Sequence, residues 1–276
     1  MTRMVITALV AAAVAGACAG ESATSAPPST PVADPTSSAA TGTSTSPTTQ
    51  TPKPAPKGTV GRLCDTYDRA PLVHLHAADG ARLVAGRYGH GTTAVILAHQ
   101  VDDTLCDWAP FARRLARSGY TALALGFRGF PPAPIPKQHR DGFDLDVVGA
   151  AHLLRRTGAR RIVLVGASMG GTAVLDAAAT IRPPVAAVVN MSGPSEYPPV
   201  NAIRAVPRLR MPLLFLAARY DPYAADARRM YRAASPGTAR IHIFPGGEHG
   251  VELLAYPAVR AMLLQAIRRA GRGPDP

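Results

Sequence analysis

The sequence predicts an α/β fold in which a mostly parallel sheet is covered by helices on both faces. Past Gly58, short apolar runs alternate with amphipathic helical patterns, and such alternation requires crossover connections between parallel strands. The run Ala-Val-Ile-Leu at 94–97 is apolar at every position, as expected for a strand buried on both sides. A Gly-x-Ser-x-Gly segment, from Gly166 to Gly170, separates another apolar run from a small-residue helical stretch. This arrangement predicts a tight strand-to-helix turn.

Eight strands and five helices are predicted in the folded part of the chain. The strands are expected at residues 72–76, 82–88, 94–98, 121–125, 161–165, 186–190, 212–217 and 240–244. The helices are expected at residues 108–118, 144–157, 169–180, 225–234 and 257–270. The turn Ala78-Asp79-Gly80 between the first two strands indicates an antiparallel hairpin.

The N-terminal residues are typical of an export signal. Arg3 is followed by an alanine-rich stretch without charge that ends at Cys18, and its roughly 15 apolar residues fall short of the about 20 that span a bilayer. The small residues before Cys18 resemble a bacterial lipoprotein signal, in which the lipidated cysteine becomes the mature N-terminus. We therefore predict a signal peptide at 1–18, lipidation of Cys18 and an extracytoplasmic, membrane-anchored protein. The alternative is cleavage beside Cys18, which releases a soluble protein.

The next segment, 19–60, consists almost entirely of Ser, Thr, Pro and Ala. It has too few large apolar residues to offset the entropy of ordering, so we predict a disordered linker. The folded domain is then expected at 61–272.

The chain is strongly basic, with a formal net charge of +12 and a pI of about 10.3. Its arginines are scattered, mostly as pairs on predicted helix faces and ends, and no nucleic-acid motif accompanies them. We interpret them as solvated surface and expect no nucleic-acid partner. Weak attraction to anionic lipid or to a cell-wall polymer is the alternative.

Two cysteines remain if Cys18 carries lipid. Cys64 and Cys106 then form a pair that suits an oxidising compartment. A disulfide between them would stabilise the fold by roughly 3–4 kcal/mol on the chain-entropy model. The alternative is two free thiols.

Ser168, at the centre of the Gly-x-Ser-x-Gly segment, is the candidate nucleophile. A serine hydroxyl is too weak an acid to attack a carbonyl unaided, so it requires a histidine base and a carboxylate that orients this base.

The eight strands, the initial hairpin and the serine turn after the fifth strand resemble the α/β-hydrolase family over about residues 65–270. In that family the acid and the histidine follow the serine in this order at strand ends. The resemblance implies that Asp221, past the seventh strand, is the acid and that His249, past the eighth, is the base. Glu196 and Glu248 are the alternative acids.

The resemblance also implies an oxyanion hole, in which backbone N–H groups bind the negative oxygen of the tetrahedral intermediate. One N–H is that of Met169, which follows the nucleophile. The second comes from the loop after the third strand, where His99 matches the family pattern but Gln100 replaces its glycine. Val101 is the expected donor and Gln100 the alternative, while His99 is expected to brace the loop by hydrogen bonds.

About twenty residues separate the sixth and seventh predicted strands, which is too few for a large cap domain. We therefore expect an open pocket. His74 and His76 share one face of an early strand, but two ligands without a third make a weak metal site. We expect no cofactor and no metal.

These features together predict an exported serine hydrolase that cleaves carboxylic esters through an acyl-enzyme, with thioesters or amides as alternative substrates. The expected partners are a small-molecule or lipid ester and, through the lipid anchor, a membrane; the expected state is a monomer. One alternative is a peptidase or an acyltransferase that acts on cell-envelope substrates. The other is a non-catalytic envelope protein that uses the scaffold for binding.

Overall fold

The computed structural model describes residues 57–272. The predicted signal peptide, its lipidation site Cys18 and the linker up to residue 56 lie outside the described residues. Within residues 57–272, no helix has both the length and the apolar character needed to cross a bilayer.

The core of the domain is an eight-stranded sheet. Its strands are β1 (Leu72–His76), β2 (Arg82–Tyr88), β3 (Thr93–Ala98), β4 (Thr121–Gly126), β5 (Arg161–Ala167), β6 (Ala187–Met191), β7 (Leu213–Ala218) and β8 (Ala239–Phe244). The strand order is β1-β2-β4-β3-β5-β6-β7-β8. The pairings β1–β2 and β2–β4 are antiparallel, and all others are parallel. The predicted hairpin and the mostly parallel sheet are confirmed.

Seven helices accompany the strands in the described part of the chain. They are α1 (Val60–Leu63), α2 (Ala109–Arg117), α3 (Phe143–Arg156), α4 (Met169–Thr180), α5 (Ala202–Ala205), α6 (Ala224–Ala233) and α7 (Pro257–Arg272). The five longer helices were predicted to within two residues at each end. The two four-residue helices, α1 and α5, were not predicted, because four residues are too few to show a 3.6-residue periodicity.

The helices cover both faces of the sheet, as predicted. One apolar cluster joins α3, α4, α5 and α6 to the sheet, and it contains the side chain of Ile96. A second cluster joins α1, α2 and α7 to the opposite face, and it contains the neighbouring Val95 and Leu97. Because successive strand residues point to opposite faces, the uniformly apolar β3 contributes side chains to both clusters.

The parallel strands end at one edge of the sheet, here called the carboxyl edge; the opposite edge is the amino edge. The register pairs Ala98 with Gly166 and Ala167 with Met191, so the loops after β3, β5 and β6 start side by side. Between β6 and β7 the chain forms only α5 and a 3₁₀ turn, Val206–Arg208. The predicted absence of a large cap is confirmed.

The predicted disulfide is present. Cys64 and Cys106 are bonded across 42 positions of sequence. The bond ties the segment that follows α1 to the loop after β3.

A buried ion cluster supports the loop after β4. The Arg128 side chain is fully buried and contacts Asp146, at 2.6 Å, and Asp79, at 2.8 Å. It donates also to the carbonyl of His139, at 2.5 Å. The hydrogen bond from Arg128 lowers the pKa of Asp79, whereas burial raises the pKa of Asp146 to about 6. One arginine therefore holds together the β1–β2 turn, the loop after β4 and the start of α3.

Replacing Arg128 with methionine is expected to lower the free energy of unfolding by about 3–5 kcal/mol, because the buried carboxylate of Asp146 and the partly exposed carboxylate of Asp79 lose their counter-ion. Urea unfolding measures this change. The control is Arg114→Met on the exposed side of α2, expected to stay within about 0.5 kcal/mol. An equal loss in both variants would show that Arg128 acts through general charge rather than through its buried contacts.

Candidate active site

Ser168 occupies the turn between β5 and α4. Its backbone has φ +46° and ψ −119°, a strained conformation for a residue with a side chain. The Ser168 amide donates to the carbonyl of Met191, at 2.8 Å, which holds this turn against the end of β6. The residue is 5% exposed and lies at the carboxyl edge.

The glycines that flank Ser168 allow backbone segments to approach closely, as the motif predicted. A Cβ on Gly166 would lie 2.2 Å from the carbonyl oxygen of Gly170. A Cβ on Gly170 would lie 2.5 Å from the carbonyl oxygens of both Ala98 and His99. Neither position has room for a side chain. The same contacts place the end of β3, and with it the predicted oxyanion loop, directly against the serine turn.

Asp221 and His249 meet at the same edge. The Nδ1 atom of His249 lies 3.3 Å from each carboxylate oxygen of Asp221. The Asp221 side chain is fully buried, whereas that of His249 is 27% exposed. Asp221 also accepts a hydrogen bond from the amide of Tyr223, at 2.8 Å. The carboxylate is thus fixed in place, and the imidazole keeps one side open to the surface.

The electrostatics favour an ionised Asp221. Burial opposes ionisation, but hydrogen bonding from His249 and the Tyr223 amide, together with the nearby Ser192 hydroxyl, lowers the pKa of Asp221 below its usual value. Ser192 is fully buried with φ +56°; its hydroxyl lies near the Asp221 carboxylate but forms no regular hydrogen bond within residues 57–272. The sequence analysis missed Ser192, although its place just past β6, beside β7, could have indicated it.

Of the three candidate acids, the structure brings only Asp221 to His249 within the described residues. The carboxylate of Glu248 instead accepts a hydrogen bond from the hydroxyl of Tyr256. Glu196 is exposed on the loop after β6.

The histidine loop packs beside the serine turn. A Cβ on Gly250 would lie 3.4 Å from the Cβ of Ala167, so the residues next to His249 and Ser168 are in contact. Within residues 57–272, the Ser168 hydroxyl forms no hydrogen bond with His249, and the Asp221–His249 contacts are long. Hydrogen bonds between catalytic groups are commonly long without substrate and shorten when it binds.

Two backbone amides are available next to Ser168. Met169 is the first residue of α4, where an N–H group has no acceptor within the helix and carries the positive end of the helix dipole. Val101 lies in the loop after β3, 39% exposed, and its amide makes no hydrogen bond to the described part of the protein. Both amides are free to donate to a negative oxygen.

His99 braces the loop after β3, as expected. Its Nδ1 lies 2.7 Å from the carbonyl oxygen of Gln100, and its Nε2 accepts from the amide of Phe127, at 3.2 Å. Burial lowers the pKa of His99 to about 4, so the ring is neutral. Nδ1 therefore carries the proton that it donates to Gln100, and this histidine joins the loops after β3 and β4.

Gln100 has a contact that its sequence position did not reveal. Its Oε1 accepts a hydrogen bond from the amide of Val251, at 2.9 Å. Val251 lies two residues past His249, so a side chain of the loop after β3 holds the loop that carries His249. The sequence analysis considered only the backbone of Gln100.

No group of three or more His, Cys, Asp or Glu side chains suited to hold a metal ion occurs within residues 57–272. His74 and His76 are both exposed on β1.

Comparison with known proteins agrees with this topology. The family model described as the alpha/beta hydrolase fold matches residues 93–204, which contain β3 to β6 and the serine turn. An esterase from Pyrococcus furiosus superposes with a TM-score of 0.62 at 15% identity, covering 79% of this chain and 97% of that protein. The fold is that of the α/β-hydrolases.

Other structures with this α/β-hydrolase fold are similarly distant in sequence. A thermophilic esterase from Thermogutta terrifontis has a TM-score of 0.62 at 17% identity, over 73% of this chain and 99% of that one. A monoacylglycerol lipase from Paleococcus ferrophilus has a TM-score of 0.57 at 15% identity, over 67% of this chain and 98% of that one. No curated protein matches the sequence with significant similarity.

Proposed function

We propose that this protein is a serine hydrolase that cleaves carboxylic esters. The observation that carries the proposal is the meeting of three elements at the carboxyl edge. These are a serine on a strained turn, a histidine paired with a buried carboxylate, and two free backbone amides. This is the set of groups that acyl transfer through a serine requires.

In the proposed reaction, the Ser168 hydroxyl attacks the ester carbonyl while His249 takes its proton. Asp221 holds the imidazole so that Nδ1 carries its hydrogen and Nε2 is free to act as base. The amides of Met169 and Val101 stabilise the negative oxygen of the tetrahedral intermediate. His249 then protonates the departing alcohol, and a water molecule, activated by the same histidine, hydrolyses the acyl-enzyme.

The substrate is proposed to be a small-molecule or lipid ester. Exposed apolar side chains stand on three carboxyl-edge loops: Val101 after β3, Ile135 after β4 and Tyr220 after β7. Such side chains are suited to contact an acyl or alcohol group. Neighbours in fold include proteins described as esterases and as a monoacylglycerol lipase, which supports ester chemistry at the level of the shared scaffold.

We further propose that the protein is exported, lipidated at Cys18 and thereby anchored to a membrane. Its proposed state is a monomer. Mass spectrometry of the mature N-terminus tests the lipidation: an acylated Cys18 supports the anchor, and an unmodified N-terminus near residue 18 indicates a soluble secreted protein.

A fluorophosphonate probe tests the activity. We expect covalent labelling, with the adduct mapped to Ser168, and no labelling of heat-denatured protein. Hydrolysis of esters with graded acyl chain length, beside a panel of peptide amides, then defines the substrate. Faster cleavage of amides than of esters would indicate a peptidase, and acyl transfer to an added alcohol in preference to water would indicate an acyltransferase. A folded protein that the probe leaves unlabelled would favour the non-catalytic binding protein.

Replacing Gln100 with alanine is expected to lower kcat for a model ester by about 10–100-fold, with KM changed less. The Val251 amide loses its acceptor, and small displacements of catalytic groups are costly. Gln100→Glu keeps an acceptor oxygen at this position and is expected to retain more activity than the alanine variant. Equal kcat values in wild type and Gln100→Ala would show that the histidine loop holds its place without this bond.

A further inference from the structure

The amino edge of the sheet carries a broad basic surface. Arginines lie where α2 and α7 end and where β5 begins, and around the adjoining ends of β1 and β2. This amino-edge patch comprises Arg69, Arg87, Arg113, Arg114, Arg117, Arg160, Arg161, Arg268, Arg269 and Arg272. Seven of these are exposed, and Arg87, Arg113 and Arg161 are half-buried.

A groove of about 470 Å³ forms one side of the amino-edge patch. Arg69, Arg87, Arg113 and Arg117 line it, together with His90. Its carboxylate, Asp68, is buried and already occupied, since it accepts from Arg113 at 2.6 Å and from the hydroxyl of Tyr88 at 3.0 Å. The other guanidinium groups of the groove are not paired with this carboxylate and can bind an external anion.

Contacts of the backbone join this groove to the rest of the patch. Gly89, beside the groove, packs against the Cα atom of Ala116 in α2. The carbonyl of Thr92 accepts from the amides of Arg160 and Arg161, and Arg161 donates to the carbonyl of Ala270 in α7, at 3.4 Å. The patch therefore extends along this edge from α2 to the end of α7. It crosses the three strand spacings between β2 and β5, about 14 Å.

Stabilisation of the helices does not account for all of these arginines. Basic residues in a last helical turn offset the helix dipole, which accounts for part of the charge on α2 and α7. Arg69, Arg87 and Arg160 lie outside helices, and they extend the same charge across the amino edge.

The carboxyl edge, in contrast, carries several acidic residues. Asp102, Asp103 and Asp107 follow β3, and Glu248 and Glu252 follow β8. Burial and the neighbouring carboxylates raise the pKa of Asp103 to about 6, which shows how closely these negative charges stand. The domain is thus polarised between its two edges.

The chain also enters the domain at the basic edge. Thr59 forms a bridge with Pro71, and the Gly58 carbonyl accepts from the amide of Leu72, at 2.8 Å. Pro71 is itself part of the groove.

We propose that the amino-edge patch docks on the surface of a bilayer that contains anionic phospholipid. The width of the patch suits several headgroups at once, and its charge complements theirs. Docked in this way, the carboxyl edge points away from the membrane. If the proposed ester hydrolysis is correct, the enzyme then meets its substrate in the aqueous phase rather than within the bilayer.

Arginine footprinting of the full chain with phenylglyoxal tests the docking surface. With phosphatidylcholine vesicles that contain phosphatidylglycerol, Arg117, Arg268 and Arg269 are expected to lose their modification. Arg82, Arg204 and Arg228 are exposed elsewhere on the domain and should be modified as before. Vesicles of phosphatidylcholine alone should protect neither set.

A pair of matched variants provides the energetic test. The triple change Arg117→Gln, Arg268→Gln and Arg269→Gln should weaken binding to the anionic vesicles by about 100-fold, since each basic residue near such a surface contributes about a factor of five. The same change at Arg82, Arg204 and Arg228 removes equal charge and should cost at most a few-fold.

Equal protection of both arginine sets, or equal losses in both triple variants, would overturn the proposal in favour of non-specific attraction. Equal protection by neutral vesicles would also overturn it. Stronger protection of the patch by soluble polyphosphate than by anionic vesicles would assign the patch to an anionic polymer instead. Footprints and vesicle binding do not depend on turnover, so they remain informative whatever the outcome of the fluorophosphonate test.

Discussion

Ser168→Ala is expected to lower kcat for a model ester by about 10⁶-fold, because the loss of the nucleophile from a serine hydrolase costs about this much. The residual rate would come from binding and from the backbone amides of Met169 and Val101, which the substitution leaves in place. The alanine methyl group occupies the same strained turn as the serine Cβ, so the fold should be unaffected. Initial rates with a chromogenic short-chain ester measure the effect.

Two controls accompany this variant. The melting temperature of Ser168→Ala should match that of the wild type within a few degrees. Ser118→Ala changes an exposed serine at the end of α2 and should leave kcat unaltered. A Ser168→Ala protein that is folded and still hydrolyses the ester at more than a hundredth of the wild-type rate would exclude Ser168 as the nucleophile.

Asp221→Asn is expected to lower kcat by about 10⁴-fold while the geometry stays nearly unchanged. An ionised carboxylate accepts a hydrogen bond from Nδ1–H of His249, whereas an asparagine can present its NH₂ group to the same nitrogen. The ring would then carry its proton on Nε2 and could no longer accept one from Ser168. The depressed pKa of Asp221 means that the wild-type carboxylate is ionised throughout the neutral range.

The control for this variant is Asp141→Asn, which neutralises an exposed carboxylate on the loop before α3 and should have little effect. Glu248→Gln and Glu196→Gln test the alternative acids. A loss of several hundred-fold in either of these, with Asp221→Asn near wild type, would transfer the role of the acid to that residue.

Most of the secondary structure could be predicted from local sequence. The eight strands lie within two residues of the expected positions, because buried parallel strands are short apolar runs that flanking turns delimit. The serine turn was equally visible, since its glycines are dictated by close backbone contacts within five consecutive residues and with the adjacent β3. The pairing of Cys64 with Cys106 was predicted because few cysteines were available.

The sequence was less informative about side chains that act across the fold. Gln100 was considered for its backbone, yet its side chain reaches a residue 151 positions away. The sequence analysis did not identify the buried contacts of Arg128 with Asp79 and Asp146. Such contacts depend on where separate loops end up in space, and no local pattern of residue types records this.

The distribution of charge also depends on both the sequence and the fold. Counting residues correctly predicts a basic protein, and the arginines were interpreted as scattered surface charge because they are scattered along the chain. Folding gathers helix ends and strand starts at one edge of a parallel sheet, so distant arginines become neighbours. Local periodicity and glycine spacing were enough to place the elements and to select Ser168, and the resemblance to the α/β-hydrolases then indicated Asp221 and His249 as candidates. Strand order, the contacts of Gln100 and Arg128, and the separation of basic and acidic edges came only with the assembled fold, because they arise from how distant segments pack.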